Sequence, residues 1–208
     1  MESRAHWDRI YATKPYTQVS WYQQHLEVSL RLIERTGIDK AAHIIDVGGG
    51  ASTLVEDLLA RGFQHVTVLD ISAAALRAAQ ERIACRADDV QWLEADITEA
   101  TLPADHYDLW HDRATFHFLT RIEDRQKYIE KVRHSVKERG HIIIATFADD
   151  GPTRCSGLDV VRYSSSDLRR ELGNDFKLVD SVREDHQTPF GTMQSFVYCW
   201  CTKESSRT

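Results

Sequence analysis

The residues with the clearest chemical meaning form an acidic and glycine-rich pattern near position 50. Asp46 stands two residues ahead of Gly48, Gly49 and Gly50, and Asp70 follows twenty residues after Gly50. Glycines at such a turn let the backbone approach a ligand closely and take up positive φ angles. A carboxylate at the end of the following strand can accept hydrogen bonds from both hydroxyls of a ribose. The pattern therefore predicts a site for a ligand that contains a nucleoside.

Two details of this pattern distinguish a dinucleotide from a sulfonium ligand. The dinucleotide fingerprint requires a third glycine at a position that here holds Thr53. The carboxylate of Asp46 would repel a pyrophosphate, but it would attract a ligand that carries an ammonium and a sulfonium group. These features favour S-adenosylmethionine over NAD.

A second group of polar residues lies between positions 111 and 117. Because a neutral imidazole titrates near working pH, we predict His111 and His117 as catalytic groups that position an acceptor or take its proton. The alternative for each is a structural histidine, at a strand end or packed at a helix start. A metal site formed by Asp112 with Asp149 or Asp150 is a rival hypothesis. No metal is predicted, because these positions lack a third dedicated ligand.

Short apolar runs alternate with helical patterns between residues 40 and 148. Strands are predicted at 43–47, 66–70, 90–95, 107–111 and 141–147, and helices at 52–61, 73–84 and 122–138. Strands that alternate with helices build a parallel, doubly wound sheet, in which ligands bind beyond the carboxyl ends of the strands. Asp46, Asp70 and His111 would then lie at the same edge of the sheet.

The regular alternation of strands and helices ends after residue 150. A helix at 165–172 precedes two strand-like segments, 176–184 and 193–202, which no helix separates. Strands joined so closely must pair antiparallel. We therefore predict an α/β fold with a doubly wound, mostly parallel seven-stranded sheet and an antiparallel C-terminal hairpin. A further helix is predicted at 20–37.

Four motifs resemble those of the class I S-adenosylmethionine-dependent methyltransferases, and of methyltransferase-domain proteins of the type 11/12 kind. They lie at 46–50, 68–72, 94–97 and 107–112, and the resemblance spans about residues 40–148. It implies the cofactor S-adenosylmethionine, with S-adenosylhomocysteine as product. The cofactor-binding residues that we predict are Asp46, Gly48, Gly50, Asp70, Ile71, Asp96, Ile97 and His111, together with Trp21 from an aromatic segment that could attract a sulfonium. Gly49 departs from the family, where a larger residue is common.

The resemblance implies transfer of a methyl group by direct displacement, for which positioning supplies most of the catalysis. A small-molecule acceptor is the leading prediction, and the loops around Arg154 and His186 are expected to define it. A protein lysine methyltransferase is one alternative, because segments 7–11 and 20–22 resemble the N-terminal stretch of some such enzymes. A cofactor-binding module without catalysis is a second alternative.

Composition sets the outer limits of these predictions. A chain of 208 residues fits one domain, with a helical cap at 1–38, a cofactor-binding core at 40–148, and acceptor-side loops and the hairpin at 149–208. The net charge of -6 argues against nucleic acid as a partner. No apolar run suits a signal peptide or a membrane helix, and the four cysteines lack a framework spacing. We therefore expect a cytoplasmic protein with reduced thiols and no membrane partner; the oligomeric state is left open.

Overall fold

The computed structural model describes residues 2–205, and its main element is a seven-stranded sheet. Its strands are β1 (His43–Val47), β2 (His65–Asp70), β3 (Val90–Glu94), β4 (Tyr107–Arg113), β5 (Val136–Phe147), β8 (Phe176–Gln187) and β9 (Met193–Lys203). A small separate hairpin consists of β6 (Arg154–Cys155) and β7 (Leu158–Asp159). The order in the main sheet is β3-β2-β1-β4-β5-β9-β8. Strands β1 to β5 pair in parallel, and β9 runs antiparallel to both β5 and β8.

Helices cover both faces of this sheet. Within residues 2–205 the α-helices are α1 (Glu2–Thr13), α2 (Glu27–Thr36), α3 (Leu54–Ala60), α4 (Ala73–Ile83), α5 (Ile122–Ser135) and α6 (Ser165–Leu172). Ile44 and Ile45 are adjacent on β1 and fully buried, yet they belong to two different apolar clusters. Alternate side chains of a strand point to opposite faces, so each face has its own core. The predicted doubly wound fold with its antiparallel hairpin is confirmed.

The strand order defines where a ligand can bind. β1 lies between β2 and β4, because the chain adds β2 and β3 on one side of β1 and then crosses over to add β4 on the other side. Doubly wound sheets bind ligands at such a switch point, beyond the carboxyl ends of the strands. Asp46 and His111 are register partners at this edge, and Asp70 is the last residue of β2.

The predicted helix at 20–37 is wrong in its first half, because α2 begins only at Glu27. The carbonyl groups that a helix would use internally serve other elements. Those of Ser20, Trp21 and Gln23 accept hydrogen bonds from His186 Nε2 at 2.8 Å, Arg113 Nη1 at 3.0 Å and the Thr53 hydroxyl at 3.0 Å, respectively. The apolar spacing of this segment therefore marks burial against the sheet rather than helical structure.

The predicted helix at 122–138 also extends too far. Helix α5 ends at Ser135, and β5 begins at Val136 with extended dihedral angles (φ -81°, ψ 133°). Val136 pairs with Tyr107 at the start of β4, so sheet pairing begins five residues before the predicted strand at 141–147. The hairpin strands are longer than predicted as well, because β8 continues to Gln187, which pairs with Met193.

Helix α1 lies against α4, next to the carboxyl edge of the sheet. The Asp8 carboxylate accepts a hydrogen bond from the Ser72 hydroxyl at 2.7 Å, and Ser72 is the N-cap of α4. Arg4 forms an ion pair with Glu94, the last residue of β3. None of the helices within residues 2–205 is long and apolar enough to cross a membrane.

Candidate cofactor and acceptor site

A cavity of about 290 Å³ lies at the carboxyl ends of β1, β2 and β4. The predicted site residues that line it are Asp46, Gly48, Asp70, Ile71, Asp96, Ile97, His111 and Trp21. Gly50 and His117 were also predicted, but neither is among the lining residues. Eight residues chosen from sequence patterns are thus brought to one cavity.

The buried Asp46 carboxylate presents one satisfied and one free oxygen. Its Oδ1 lies 2.7 Å from His111 Nδ1, whereas its Oδ2 is buried and has no hydrogen-bond partner. A buried carboxylate oxygen without a donor is costly, and a donor group of a bound ligand would satisfy this atom. A ligand ammonium group is the donor that the sequence analysis predicted.

The glycine turn leaves the space that this carboxylate needs. Gly48 has a φ of 69°, and a Cβ atom there would collide with the Thr115 side chain. A Cβ atom on Gly49 would overlap Asp46 Oδ2. Glycine at position 49, the departure from the family pattern, therefore accommodates the free carboxylate oxygen, which lies where a Cβ atom would be.

Asp70 is held by the backbone of two turns. Its Oδ2 accepts from the Gly50 amide at 3.0 Å, and its Oδ1 accepts from the Ser72 amide at 2.8 Å. Burial raises the pKa of Asp70 to about 6, although these two amide donors act in the opposite direction. Gly50 thus lies behind the cavity wall and orients the carboxylate that faces the cavity.

Asp96 and Ile97 follow β3 at the same edge of the sheet. Asp96 Oδ1 accepts from the Thr98 amide at 2.9 Å and from the Thr98 hydroxyl at 2.8 Å, which fixes the turn. Ile97 is buried and lines the cavity beside this turn. The arrangement offers a polar edge and an apolar wall, as the binding of a flat base requires.

His111 is fully buried, and both of its nitrogens have partners. Nδ1 lies 2.7 Å from Asp46 Oδ1, and Nε2 lies 2.9 Å from the Ser29 hydroxyl. Because a carboxylate can only accept, Nδ1 carries the proton and Nε2 accepts from Ser29. Of the two roles predicted for His111, this geometry supports cofactor binding through Asp46 and leaves no nitrogen free for an acceptor.

His117 lies in the core behind the cavity. Its Nδ1 accepts from the Phe147 amide at 3.3 Å, and its ring packs 4.5 Å from that of Phe118. Burial, followed by the charge of Arg113, lowers the pKa of His117 to about 3. The structure therefore does not bring His117 to the cavity, and its position gives no support to the predicted catalytic role.

Arg113 is a cavity residue that the sequence analysis missed. Its guanidinium donates to the Tyr198 hydroxyl at 2.9 Å and to the Trp21 carbonyl at 3.0 Å, and it lies 3.5 Å from Glu184 Oε2. The side chains of Arg113 and Glu184 are only 4% and 11% exposed. An arginine two residues after His111 was the available signal, but its side-chain partners, Glu184 on β8 and Tyr198 on β9, were not predictable.

The aromatic N-terminal residues form one wall of the cavity. Trp7 packs edge-to-face against Trp21 at 5.7 Å and against Phe118 at 5.0 Å. Tyr11 lies 6.3 Å from Trp21, and all four rings line the cavity. Helix α1 therefore closes the cavity on the side away from the sheet.

The carboxylates of the rival metal hypothesis have other partners. Asp112 accepts from the Tyr128 hydroxyl at 2.6 Å and from two backbone amides, whereas Asp149 and Asp150 pair with Arg183 at the surface. Within residues 2–205 no group of three or more histidine, cysteine or acidic side chains could hold a metal ion.

Arg154, from a loop that was expected to define the acceptor, lies outside the cavity lining. It forms an ion pair with Asp159 at 3.0 Å.

Comparison with known proteins gives a consistent assignment. Residues 44–140 match the family model of a methyltransferase domain. An uncharacterized methyltransferase of Mycobacterium tuberculosis is 36% identical over 104 residues, which cover 50% of this chain and 50% of that protein. The eEF1A lysine and N-terminal methyltransferase of Bos taurus is 25% identical over 138 residues, covering 66% of this chain and 19% of that protein. The chain thus spans between a fifth and a half of the length of these relatives.

Two solved structures share the fold over nearly the whole chain. A SAM-dependent methyltransferase from Anabaena variabilis has a TM-score of 0.76 at 15% identity and covers 98% of this chain and 96% of its own. The 1,6-didemethyltoxoflavin-N1-methyltransferase of Burkholderia thailandensis, solved with S-adenosylhomocysteine, has a TM-score of 0.73 at 19% identity, covering 98% and 88%. With the four motifs and the family match, residues 44–140 are assigned to a methyltransferase domain, and the chain has the fold of the S-adenosylmethionine-dependent methyltransferases.

Proposed function

We propose that the chain transfers a methyl group from S-adenosylmethionine to a small-molecule acceptor. The observation that carries this proposal is the buried, unpartnered Asp46 Oδ2 in one cavity with Asp70 and Asp96. Asp46 would hold the ammonium group, Asp70 the ribose and Asp96 the adenine. The cofactor supplies a methyl group on a positively charged sulfur. After the transfer, this sulfur is the neutral thioether of S-adenosylhomocysteine.

A small acceptor suits the way in which the cavity is closed. Helix α1 lies over one side, and Trp7, Trp21 and Phe118 pack together at the wall. A small molecule can enter such a partly closed cavity as a whole, whereas a folded protein can insert only a side chain. We propose accordingly that residues 1–208 act as one methyltransferase domain, in which 1–38 form the cap and 149–208 the acceptor side.

A protein lysine acceptor remains the second candidate because of one comparison. The EEF1A lysine methyltransferase 2 of Homo sapiens is 19% identical over 194 residues, covering 86% of this chain and 76% of that protein. The segments at 7–11 and 20–22 that suggested this alternative contribute Trp7, Tyr11 and Trp21 to the cavity. Their presence there is compatible with either acceptor.

The deciding experiment uses S-adenosylmethionine labelled on the methyl group. The protein is incubated with labelled cofactor and cell extract, and the extract is separated into small-molecule and protein fractions. We expect label in the small-molecule fraction. Label confined to proteins would support the second candidate, and binding of cofactor without any transfer would indicate a non-catalytic module.

A cytoplasmic location is also proposed, on the state of the cysteines. All four are free thiols, and Cys155, Cys199 and Cys201 are buried. Disulfides are rare in the reducing cytosol and common in secreted proteins. Four unpaired cysteines in a chain of 208 residues therefore suit a reducing compartment.

A further inference from the structure

The cavity offers no free positive charge to an acceptor. The charged side chains that line it, among the residues described, are Asp46, Asp70, Asp96, Asp124 and Arg113. The Arg113 guanidinium is already engaged by Tyr198, Trp21 and Glu184, and it stacks 4.4 Å above the Phe196 ring. Because Asp46, Asp70 and Asp96 are assigned to the cofactor, an acceptor carboxylate or phosphate would meet Asp124 and a neutralised arginine. Such an environment disfavours anions and favours a neutral or cationic acceptor.

Gln23 lines the cavity and a neighbouring surface cleft, and it carries a buried hydrogen-bond acceptor without a partner. Its Nε2 donates to Glu184 Oε1 at 2.8 Å and to His186 Nδ1 at 3.1 Å. The His186 Nε2 proton is committed to the Ser20 carbonyl at 2.8 Å, so His186 Nδ1 must accept. These contacts fix the orientation of the amide and leave Gln23 Oε1 buried without a partner. A buried oxygen of this kind needs an N–H or O–H donor, and a ligand in the cavity can supply one.

Two cavity-lining groups that could act as general bases, His111 and Tyr11, are not available for this role. Both nitrogens of His111 have partners, and burial raises the pKa of Tyr11 far above its usual range, so that its hydroxyl keeps its proton. An alcohol acceptor needs a base to remove its proton, whereas a neutral amine already carries a free lone pair. The lining therefore suits an acceptor that is nucleophilic without a base.

The aromatic wall of the cavity suits the protonated form of an amine. Trp7, Tyr11, Trp21 and Phe118 line the cavity, and aromatic faces attract ammonium groups. An amine can thus enter as its ammonium ion, donate an N–H to Gln23, and release a proton to water before reacting.

We propose that the methyl acceptor is an amine with no carboxylate or phosphate beside its nitrogen, bound between the aromatic wall and Gln23 Oε1. This inference rests on the proposed methyl-transfer function and specifies its substrate class. The nitrogen lone pair forms the new N–C bond as the C–S bond breaks and its electron pair remains on sulfur. The methylated ammonium then releases one proton to water.

The first test measures binding rather than turnover. Protein saturated with S-adenosylhomocysteine is titrated with pentylamine, pentanol and pentanoate, and tryptophan fluorescence or NMR reports the dissociation constants. We expect pentylamine to bind at least about tenfold more tightly than either of the others, the scale of one hydrogen bond to a charged group. Equal binding of all three, or tighter binding of pentanoate, would overturn the proposal.

Gln23→Leu and Gln23→Met test the contact itself. Both should weaken pentylamine binding about tenfold and leave the dissociation constant for S-adenosylhomocysteine unchanged. Gln24→Leu is the matched control, because Gln24 is the exposed neighbour and undergoes the same chemical change. If pentylamine binds equally well to the Gln23 and Gln24 variants, Gln23 does not contact the amine and the proposed binding mode is wrong.

The products of the labelled extract distinguish the sources of the amine. N-methyl groups in small molecules or on lysine side chains would both support the inference, and the fraction that contains the label identifies the source. O-methyl or S-methyl products would overturn the amine assignment while leaving methyl transfer intact. Absence of any transfer would instead contradict the proposed function.

Discussion

At the scale of single residues, the two carboxylate oxygens of Asp46 have different surroundings. Oδ1 is bound by His111, which is itself bound by the Ser29 hydroxyl on α2. Oδ2 is buried and free. Because the His111 contact stops the carboxylate from rotating, the free oxygen is held ready for a ligand donor. We therefore propose that His111 and Ser29 act through Asp46 rather than on an acceptor.

This arrangement predicts different effects for two substitutions of His111. His111→Phe removes the donor to Asp46, so we expect S-adenosylhomocysteine to bind about tenfold more weakly, corresponding to about 1.4 kcal/mol. His111→Asn keeps an N–H in the place of Nδ1 and should retain most of the affinity. Calorimetry measures both dissociation constants, and a denaturant titration checks that each variant is folded.

The alternative outcome would restore the role predicted from sequence. If both variants bind S-adenosylhomocysteine normally but have lost turnover on the true acceptor, His111 acts on the acceptor or its proton. The hydrogen bonds to Asp46 and Ser29 would then have to rearrange when the acceptor binds.

Several of the site residues that could be predicted belong to local strand–turn–helix patterns. Gly50 and Asp70 are linked across one strand–helix–strand unit, a local pattern that sequence spacing reports. Arg113 depends on Glu184 and Tyr198, which are 71 and 85 residues away. No spacing rule connects such positions before the hairpin is placed beside β5. The residues on the acceptor side of the cavity therefore could not be predicted from the sequence, whereas those on the cofactor side could.

At the scale of elements, α1 is attached to the cofactor site through the start of α4. The Asp8 carboxylate accepts from the Ser72 hydroxyl at 2.7 Å and lies 3.5 Å from the Ala74 amide, at the positive end of the α4 dipole. Ser72 also donates its amide to Asp70. The helix that closes the cavity and the carboxylate predicted to bind ribose thus share one residue.

Removing this attachment should speed the release of the cofactor product. An N-terminal helix contact of this type contributes about 0.5–2 kcal/mol, so we expect Asp8→Ala to raise the dissociation rate of S-adenosylhomocysteine about two- to thirtyfold. Stopped-flow tryptophan fluorescence measures this rate, since Trp7 and Trp21 line the cavity. Arg9→Ala, at an exposed position on the same helix, is the control. An unchanged rate in Asp8→Ala would mean that α1 does not limit release.

Element types were predicted more reliably than element ends. Buried parallel strands such as β1 are short apolar runs next to glycine, which leaves few alternatives. The segment at 20–26 has helix-like apolar spacing, but its carbonyl groups bind Arg113, His186 and Thr53. Tertiary hydrogen bonds here override a local preference, and sequence alone does not contain them.

At the scale of the whole molecule, buried ionisable groups make stability depend on pH in opposite directions. Burial raises the pKa values of Asp70 and Asp112 to about 6, so these groups bind protons in the folded chain before the unfolded chain does. Their contribution favours the folded state as pH falls from 6 towards 4. Burial lowers the pKa of His117 to about 3, so its contribution has the opposite sign. The pH dependence of the total unfolding free energy therefore does not reveal the separate contributions of the aspartates and of His117.

A difference between two proteins isolates the part due to His117. In the unfolded chain His117 takes up a proton near pH 6.5, but in the folded chain only near pH 3. Its contribution to stability is complete above pH 6.5 and is lost as pH falls, by about 1.4 kcal/mol per pH unit. His117→Asn keeps an acceptor for the Phe147 amide but cannot be protonated. From pH 7 to pH 5 the variant should therefore lose about 2 kcal/mol less unfolding free energy than the unsubstituted protein. Urea titrations at both pH values measure this difference, with the exposed His134→Asn as control. Equal losses in all three proteins would show that His117 is protonated in the folded state, and thus reachable from the solvent or the cavity.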